Sequence, residues 1–158
     1  RERSATMGMF DAFDISASGL TAQRYRMDVI AENVANANTT RTEDGTPYRR
    51  KVVTFQAKGP GNESFATVFG NATSSFSNAV GKGVRVTTVQ EDFTSGMNKV
   101  YDPSHPDADE SGYVTYPNVN TITEMTNLID ATSGYEANAT AFSASKSMAL
   151  KGLDIGKA

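Results

Sequence analysis

The chain has 158 residues, which is enough for one domain with its own core or for a small core domain with long extra helices. Its 15 Lys and Arg residues are fewer than its 18 Asp and Glu residues and are scattered, so the basic stripe of a nucleic-acid binder is missing. Because cysteine is absent, disulfides, thiolate catalysis and thiolate metal sites are excluded.

The beginning of the chain predicts neither a secretory signal nor a membrane span. The stretch "RERSATMGM" (1–9) lacks the apolar middle of a cleavable signal. No apolar run in the chain approaches the roughly 20 residues that cross a bilayer. Because "MGMF" at 7–10 is typical of a natural start, we interpret residues 1–6 as a cloning remnant or an upstream extension.

Apolar residues recur seven positions apart through the first long segment, at Phe13, Leu20, Met27 and Val34. This spacing predicts an amphipathic helix over 10–34 with a coiled-coil-like seam. At about 1.5 Å per residue such a helix is on the order of 40 Å long, which is unusual in a small domain.

The helix is expected to end within "NVANANTT" (33–40). Asparagine tolerates the left-handed conformation that ends helices, and its amide bonds to nearby backbone groups. Asn33 and Asn36 are therefore the candidate helix-exit motif. An ordinary helix stop is the alternative interpretation, and the two do not conflict.

The middle of the chain predicts short strands. The segments 49–56, 83–90 and 112–117 are rich in β-branched and aromatic residues and are bounded by Gly, Pro and Asp. Between the first two lies a Gly-, Ser- and Asn-rich insert (58–83), which is interpreted as a long loop or an inserted β-hairpin.

One cluster could carry chemistry, around the only histidine, His105, in "YDPSHPDADESGY" (101–113). The acidic residues near it are Asp102, Asp107, Asp109 and Glu110. Carboxylates and an imidazole could hold a divalent cation or act as general acid and base. Asp-Pro, His-Pro and Ser-Gly favour turns, however, and the spacing fits no calcium loop, so a structural turn is the preferred interpretation.

The C-terminal segment repeats the helical design up to about Leu153, with Asn118 or Asn120 as its candidate cap. The apolar positions of its seam are Met125, Leu128, Tyr135, Phe142 and Ala149. Long helices therefore frame a β-rich middle, and we predict an α+β fold in which the two helices form an antiparallel or staggered coiled pair. The predicted division is 7–40 for the N-terminal assembly helix and its exit, 41–117 for the β-rich middle, and 118–158 for the C-terminal assembly helix.

These residues resemble a known family. "ISASGLTAQRYRMDVIAENVANANTT" (15–40) is similar to the N-terminal signature of the bacterial flagellar axial proteins, the rod and hook subunits, and "NVAN" matches its Asn-x-Ala-Asn pattern. The segments 44–56, 83–92, 99–120 and 124–157 resemble the basal-body rod proteins of the proximal rod. The 58–83 insert is longer and richer in Gly, Ser and Asn than that family's pattern.

The resemblance implies a non-enzymatic building block of a helical tube in the flagellar basal body, which transmits torque and serves as an export channel. It implies no cofactor and no metal. The implied partners are copies of the chain, other proximal and distal rod proteins, the rod-to-ring adaptor and the flagellar export apparatus, with export occurring without a cleaved signal peptide. The seam residues of the two helices are then the candidate assembly contacts.

Two other classes of function stay open from the residues alone. One is an envelope metal-binding protein or enzyme centred on His105 and the nearby carboxylates, which would retain near-stoichiometric cation after purification. The other is a soluble adaptor that binds one partner through its amphipathic helices, which would form a small defined complex instead of an open-ended assembly.

Overall fold

The computed structural model describes residues 9–58 and 83–156, with side chains from residue 11 onward. The elements in chain order are helix α1 (Met9–Ala35), strands β1 (Lys51–Ala57), β2 (Val84–Glu91), β3 (Asn98–Tyr101) and β4 (Tyr113–Tyr116), and helix α2 (Thr121–Ile155). Strand β1 pairs with β2 and β3 pairs with β4, in two antiparallel two-stranded sheets. The predicted α+β class is confirmed. Residues 1–6 and nearly all of the 58–83 insert lie outside the described residues.

Helix α1 matches its predicted bounds closely, because its apolar repeat is long and regular. The chain leaves it through a compact turn. The backbone N–H of Asn36 donates to the carbonyl of Glu32 at 3.1 Å, and its side-chain amide donates to the same carbonyl at 2.9 Å. The N–H of Thr39 then donates to the carbonyl of Asn36 at 3.1 Å. These bonds satisfy carbonyl groups that the end of a helix would otherwise leave unpaired.

Helix α2 has 35 residues. It begins directly after Asn120, the second of its two candidate caps. The side-chain oxygen of Asn120 accepts hydrogen bonds from the N–H groups of Ile122 at 3.0 Å and Thr123 at 3.2 Å, which is N-cap geometry. The side chain of Asn118 instead accepts a hydrogen bond from the backbone N–H of Arg50. Among the described residues, no helix is both long enough and apolar enough to cross a membrane.

Strand β3 is an element that the sequence did not predict. All four of its residues are exposed, so it lacks the alternation of apolar and polar residues that marks a half-buried strand. It is held by its pairing with β4, in which Tyr101 lies opposite Tyr113 and their rings meet edge to face at 5.2 Å. The strand is therefore stabilised by its pairing with β4, and no pattern in its own sequence indicates it.

The described residues group into two compact units, and each unit takes part of both helices. The first unit comprises 9–22, 55–58, 83–86 and 134–156, and the second comprises 23–54 and 87–133. The buried apolar residues of the second unit are Val29, Ile30, Tyr48, Val114, Val119 and Ala131. The division into 7–40, 41–117 and 118–158 stays a prediction.

Within each unit the two helices run antiparallel. In the first unit Phe13 packs edge to face on Phe142, with ring centroids 5.1 Å apart, whereas the later Gly19 lies against the earlier Asn138. In the second unit the hydroxyl of Thr132 donates to the sulfur of Met27 at 3.5 Å, whereas the later Asn33 bonds to the earlier Glu124. In each unit, therefore, later residues of α1 contact earlier residues of α2, as an antiparallel pair requires.

In the first unit, Ser18 connects the beginning of β2 to α1. Its hydroxyl donates to the carbonyl of Ile15 at 2.7 Å and accepts from the N–H of Val84 at 3.0 Å. Gly83 has a φ of 99°, and a Cβ atom at this position would lie 2.1 Å from the Ser18 hydroxyl oxygen. The approach of the strand to the helix therefore requires glycine.

We expect Gly83→Ala to lower the free energy of unfolding by about 1 to 3 kcal/mol, because it combines a left-handed backbone with a steric overlap. Gly96→Ala is the control, since a Cβ at Gly96 meets nothing within 4 Å, and it should change stability by less than about 0.5 kcal/mol. Urea unfolding followed by circular dichroism measures both. Equal midpoints for the two variants would contradict the close approach.

Candidate assembly surface

The end of α1 is fixed to its surroundings by the side-chain amide of Asn33, which is 1% exposed. Its oxygen accepts from the N–H of Lys51 at 2.8 Å and from the hydroxyl of Tyr48 at 2.9 Å. Its nitrogen donates to the carbonyl of Lys51 at 2.9 Å and to the carboxylate of Glu124 at 3.0 Å. The amide thus uses both of its donors and both of its acceptor sites.

Asparagine side chains take the place of strand neighbours at the beginning of β1. Asn33 exchanges two hydrogen bonds with the peptide groups of Lys51, as a residue of an adjacent antiparallel strand would. Asn118 accepts from the N–H of Arg50 at 2.9 Å and donates to the carbonyl of Asp92 at 2.9 Å. These amides close backbone positions that would otherwise lie open to another strand.

Glu124, in the first turn of α2, is the buried charge of this region, with an exposure of 0%. One of its carboxylate oxygens accepts from Nε of Arg50 at 2.8 Å and from Asn127 at 3.3 Å, and the same oxygen forms an ion pair with Nη2 of Arg50 at 2.8 Å. The other oxygen accepts from Asn33. A buried carboxylate is tolerated only when it is paired and hydrogen-bonded, and here both conditions are met. We call Asn33, Arg50 and Glu124 the polar joint.

Asp92 lies beside the polar joint in the turn after β2. Hydrogen bonds from the hydroxyl of Thr94, and then from the hydroxyl and N–H of Ser95, hold the pKa of Asp92 well below its usual range. Because the folded-state pKa is lowered, this carboxylate contributes stability above its ordinary pKa and loses it as the pH falls through the folded value. The backbone N–H of Asp92 donates to the carbonyl of Arg50 at 2.8 Å, so the turn also positions β1.

Burial, followed by the charges of Glu32, Glu91 and Glu124, raises the pKa of Tyr48 to about 12. The neutral phenol is therefore favoured in the folded state. Its contribution to stability is complete below the ordinary pKa of about 10 and is lost as the pH rises through about 12.

Tyr48→Phe should be less stable than wild type at neutral pH by about 1 kcal/mol, because it removes the hydrogen bond to Asn33. The difference should shrink between pH 10 and pH 12, where only the wild type must ionise a buried phenol. Urea unfolding at several pH values measures this difference. A difference that stays constant up to pH 12 would show that the phenol does not titrate as described.

Helix α2 exposes most of its large apolar residues. Among its described side chains only Glu124 and Ala131 are buried. Its exposed large apolar residues are Ile122, Met125, Ile129, Tyr135, Met148, Leu150, Leu153 and Ile155. Exposed large apolar residues that group on one side of a helix are typical of a protein–protein contact.

The exposed large apolar residues of α2 that belong to the second unit form one face of the helix. Ile122, Met125 and Ile129 are spaced by three and four residues and are 78%, 53% and 66% exposed. At 100° per residue this face lies opposite the side that carries Glu124 and Ala131. The polar joint therefore fixes one side of α2 to its own chain and leaves the other side available to a partner. We call Ile122, Met125 and Ile129 the outward face.

The structure divides the predicted seam into two groups. Residues that contact the other helix or are half-buried are Phe13, Leu20, Met27, Val34, Leu128, Phe142 and Ala149. Met125 and Tyr135 are exposed. The assembly role of these nine residues stays a prediction, as does the helix-exit role of Asn33 and Asn36.

The partners of Asn33 were not predicted from the sequence. Asn33 lies in the last turn of α1, and its side-chain amide bonds to β1 and α2. Glu124, Arg50 and Asn118 were not singled out. One signal was available in the sequence. Glu124 lies on the same side of the predicted helix as the apolar seam, where an acidic residue needs a partner.

The residues around His105 form a folded turn. Nδ1 of His105 accepts from the N–H of Asp107 at 3.1 Å, and its ring lies 6.3 Å from that of Tyr116. The hydroxyl of Ser104 donates to Asp102 at 2.6 Å and lowers the pKa of that carboxyl. Within residues 9–58 and 83–156, no group of three or more His, Cys, Asp or Glu side chains is arranged to hold a metal ion.

Comparisons with known proteins match both ends of the chain and nearly its full length. A family model described as flagella basal body rod protein matches 13–41, and one described as flagellar basal body rod FlgEFG protein C-terminal matches 110–155. The chain is 48% identical to the flagellar basal-body rod protein FlgC of Bacillus subtilis, over 96% of this chain and 100% of the relative. It is 43% identical to FlgC of Borreliella burgdorferi, over 94% and 98%, and 39% identical to FlgC of Escherichia coli O6:H1, over 96% and 100%.

Proposed function

Because the chain belongs to the FlgC family of flagellar basal-body rod proteins, we propose that it occupies the proximal rod and packs there against neighbouring subunits through the outward face of α2. It is a structural subunit of the basal body that assembles with other rod proteins, and it is not an enzyme. The metal-binding alternative has no support in the folded turn around His105.

The observation that carries the proposal is the outward face. Burying the three large apolar side chains of this face would be favourable by about 25 cal/mol for each Å² of apolar surface removed from water. The part of the chain that the structure describes uses the opposite side of α2 for the polar joint and leaves this face exposed. Neighbouring subunits in a helical array supply the missing contacts.

The finer parts of the proposal follow from family membership. We expect the subunit to contact other proximal and distal rod proteins and the rod-to-ring adaptor, and to be exported through the flagellar export apparatus without removal of a signal peptide. In the assembled tube it would transmit torque and line the path of export. Long helices packed side by side provide the stiffness that torque transmission needs.

The proposal is tested by replacing the native gene in a motile bacterium with one that carries a photoreactive residue at position 129. Purified basal bodies should contain the protein, and illumination should join it covalently to rod subunits. Mass spectrometry of the recovered protein also reports its N-terminal residue. Motile cells whose basal bodies lack the protein would refute the proposal.

A further inference from the structure

The contacts between α1 and α2 in the second unit differ in how strongly they define the alignment of the helices. The apolar contacts define it weakly. Apolar residues recur along both helices at steps of three, four and seven, so a slide of one turn brings another apolar residue into place. Met27 is flexible and Ala131 is small, and both can accept such a change.

The polar joint defines the alignment strongly. Asn33 has all four of its hydrogen-bonding positions engaged, and three of its bonds go to residues 48 and 51, which lie outside both helices. The backbone of Arg50 is held by Asn118 and Asp92, so its guanidinium is presented from a fixed position. The fourth bond of Asn33 and two nitrogens of Arg50, Nε and Nη2, converge on Glu124, while Nη1 of Arg50 lies 4.0 Å from the carboxylate of Asp92.

A slide of α2 by one turn would replace Glu124 with Leu128 or Asn120. Neither carries a carboxylate, so the Arg50 guanidinium, which is 25% exposed, would lose its closest counter-charge and keep only Asp92, whose carboxylate lies 4.0 Å away. Removing the close partner of a partly buried charge and one partner of the buried Asn33 amide carries a large free-energy cost. The misaligned state is therefore penalised far more by the polar joint than by the apolar contacts.

We propose that Asn33, Arg50 and Glu124 act as a register lock, which admits one alignment of α1 with α2 and contributes little to net stability. Burying an ion pair carries a desolvation cost that offsets much of its attraction. The lock is a property of the free subunit and does not depend on the proposed place in the rod.

The test measures alignment and stability separately. Because the chain has no cysteine, spin labels can be placed on Arg24→Cys and Thr123→Cys, two exposed positions at different heights along the antiparallel pair. Wild type should give one narrow distance distribution by pulsed electron paramagnetic resonance. In Arg50→Met/Glu124→Leu we expect a broadened or second distribution, displaced by up to one turn, or about 5.4 Å along the axis. Its melting temperature should exceed that of Glu124→Leu alone.

Glu32→Gln is the matched control, because it removes an exposed ion pair between α1 and Lys51 of β1, next to the polar joint, and should leave the distribution narrow. If the double variant does not fold, Glu124→Gln replaces it and should also broaden the distribution, since its amide presents a donor where the lock needs acceptors. A narrow, unshifted distribution in the folded double variant, or in Glu124→Gln when that substitutes for it, would overturn the proposal.

Discussion

Glu124→Leu should lower the free energy of unfolding by about 3 kcal/mol, the lower end of the cost of breaking a buried ion pair, because Arg50 is 25% exposed and keeps Asp92 at 4.0 Å. The substitution removes the carboxylate closest to the Arg50 guanidinium and one acceptor of Asn33. Because native proteins have a stability of only about 5 to 15 kcal/mol, a large fraction of the chain's stability is at risk. Urea unfolding followed by circular dichroism measures the loss, and motility in cells that carry the variant should fall with it.

Asp130→Leu provides the control for this prediction. Asp130 is an exposed acidic residue on the same helix, so its substitution changes charge and hydrophobicity equally without touching the polar joint. It should change stability by less than about 0.5 kcal/mol. If the two variants unfold at the same urea concentration, Glu124 is not held as the structure describes.

Ile129→Asp should abolish rod assembly while leaving the folded subunit intact. Ile129 is 66% exposed and lies on the outward face, so a carboxylate there remains hydrated in the free subunit. In a packed array the same carboxylate would be buried without a partner, which costs several kcal/mol at each repeated contact. We therefore expect an unfolding free energy within about 0.5 kcal/mol of wild type, no rods in purified basal bodies, and non-motile cells.

The control is Ile129→Leu, which keeps the apolar surface and should keep motility. Phe142→Asp is a less specific variant, because Phe142 packs on Phe13 within its own unit and its loss would also destabilise the subunit. Normal swimming in Ile129→Asp would show that the outward face is not a subunit contact.

The long helices could be predicted from the sequence because their signal is distributed over many residues. One charged residue among the apolar positions, Lys146 in α2, does not hide the periodicity of a 35-residue helix. Strand β3 could not be predicted, because four exposed residues carry no alternation and depend on their partner strand. The Asn120 cap was predicted as one of two choices, and the local rule that identifies caps does not distinguish it from Asn118.

The polar joint could not be predicted for a different reason. Asn33 and Glu124 are separated by 91 positions, and no pattern within either helix indicates that they meet. An asparagine near a helix end has a simple local explanation as a capping residue, and that explanation concealed the long-range one. The outward face was equally hidden, because sequence periodicity identifies apolar faces but not which of them the chain's own core covers.

The four bonds of Asn33 also constrain how this position can change during evolution. A single nucleotide substitution in an asparagine codon yields Asp, His, Tyr, Ser, Thr, Ile or Lys. None of these side chains offers two donors and two acceptor sites on one short planar group. Glutamine does, but it needs two nucleotide changes and is one methylene longer, which would displace the amide from Lys51. Each neutral path away from asparagine would therefore have to begin with a compensating change elsewhere, in β1 or at Glu124.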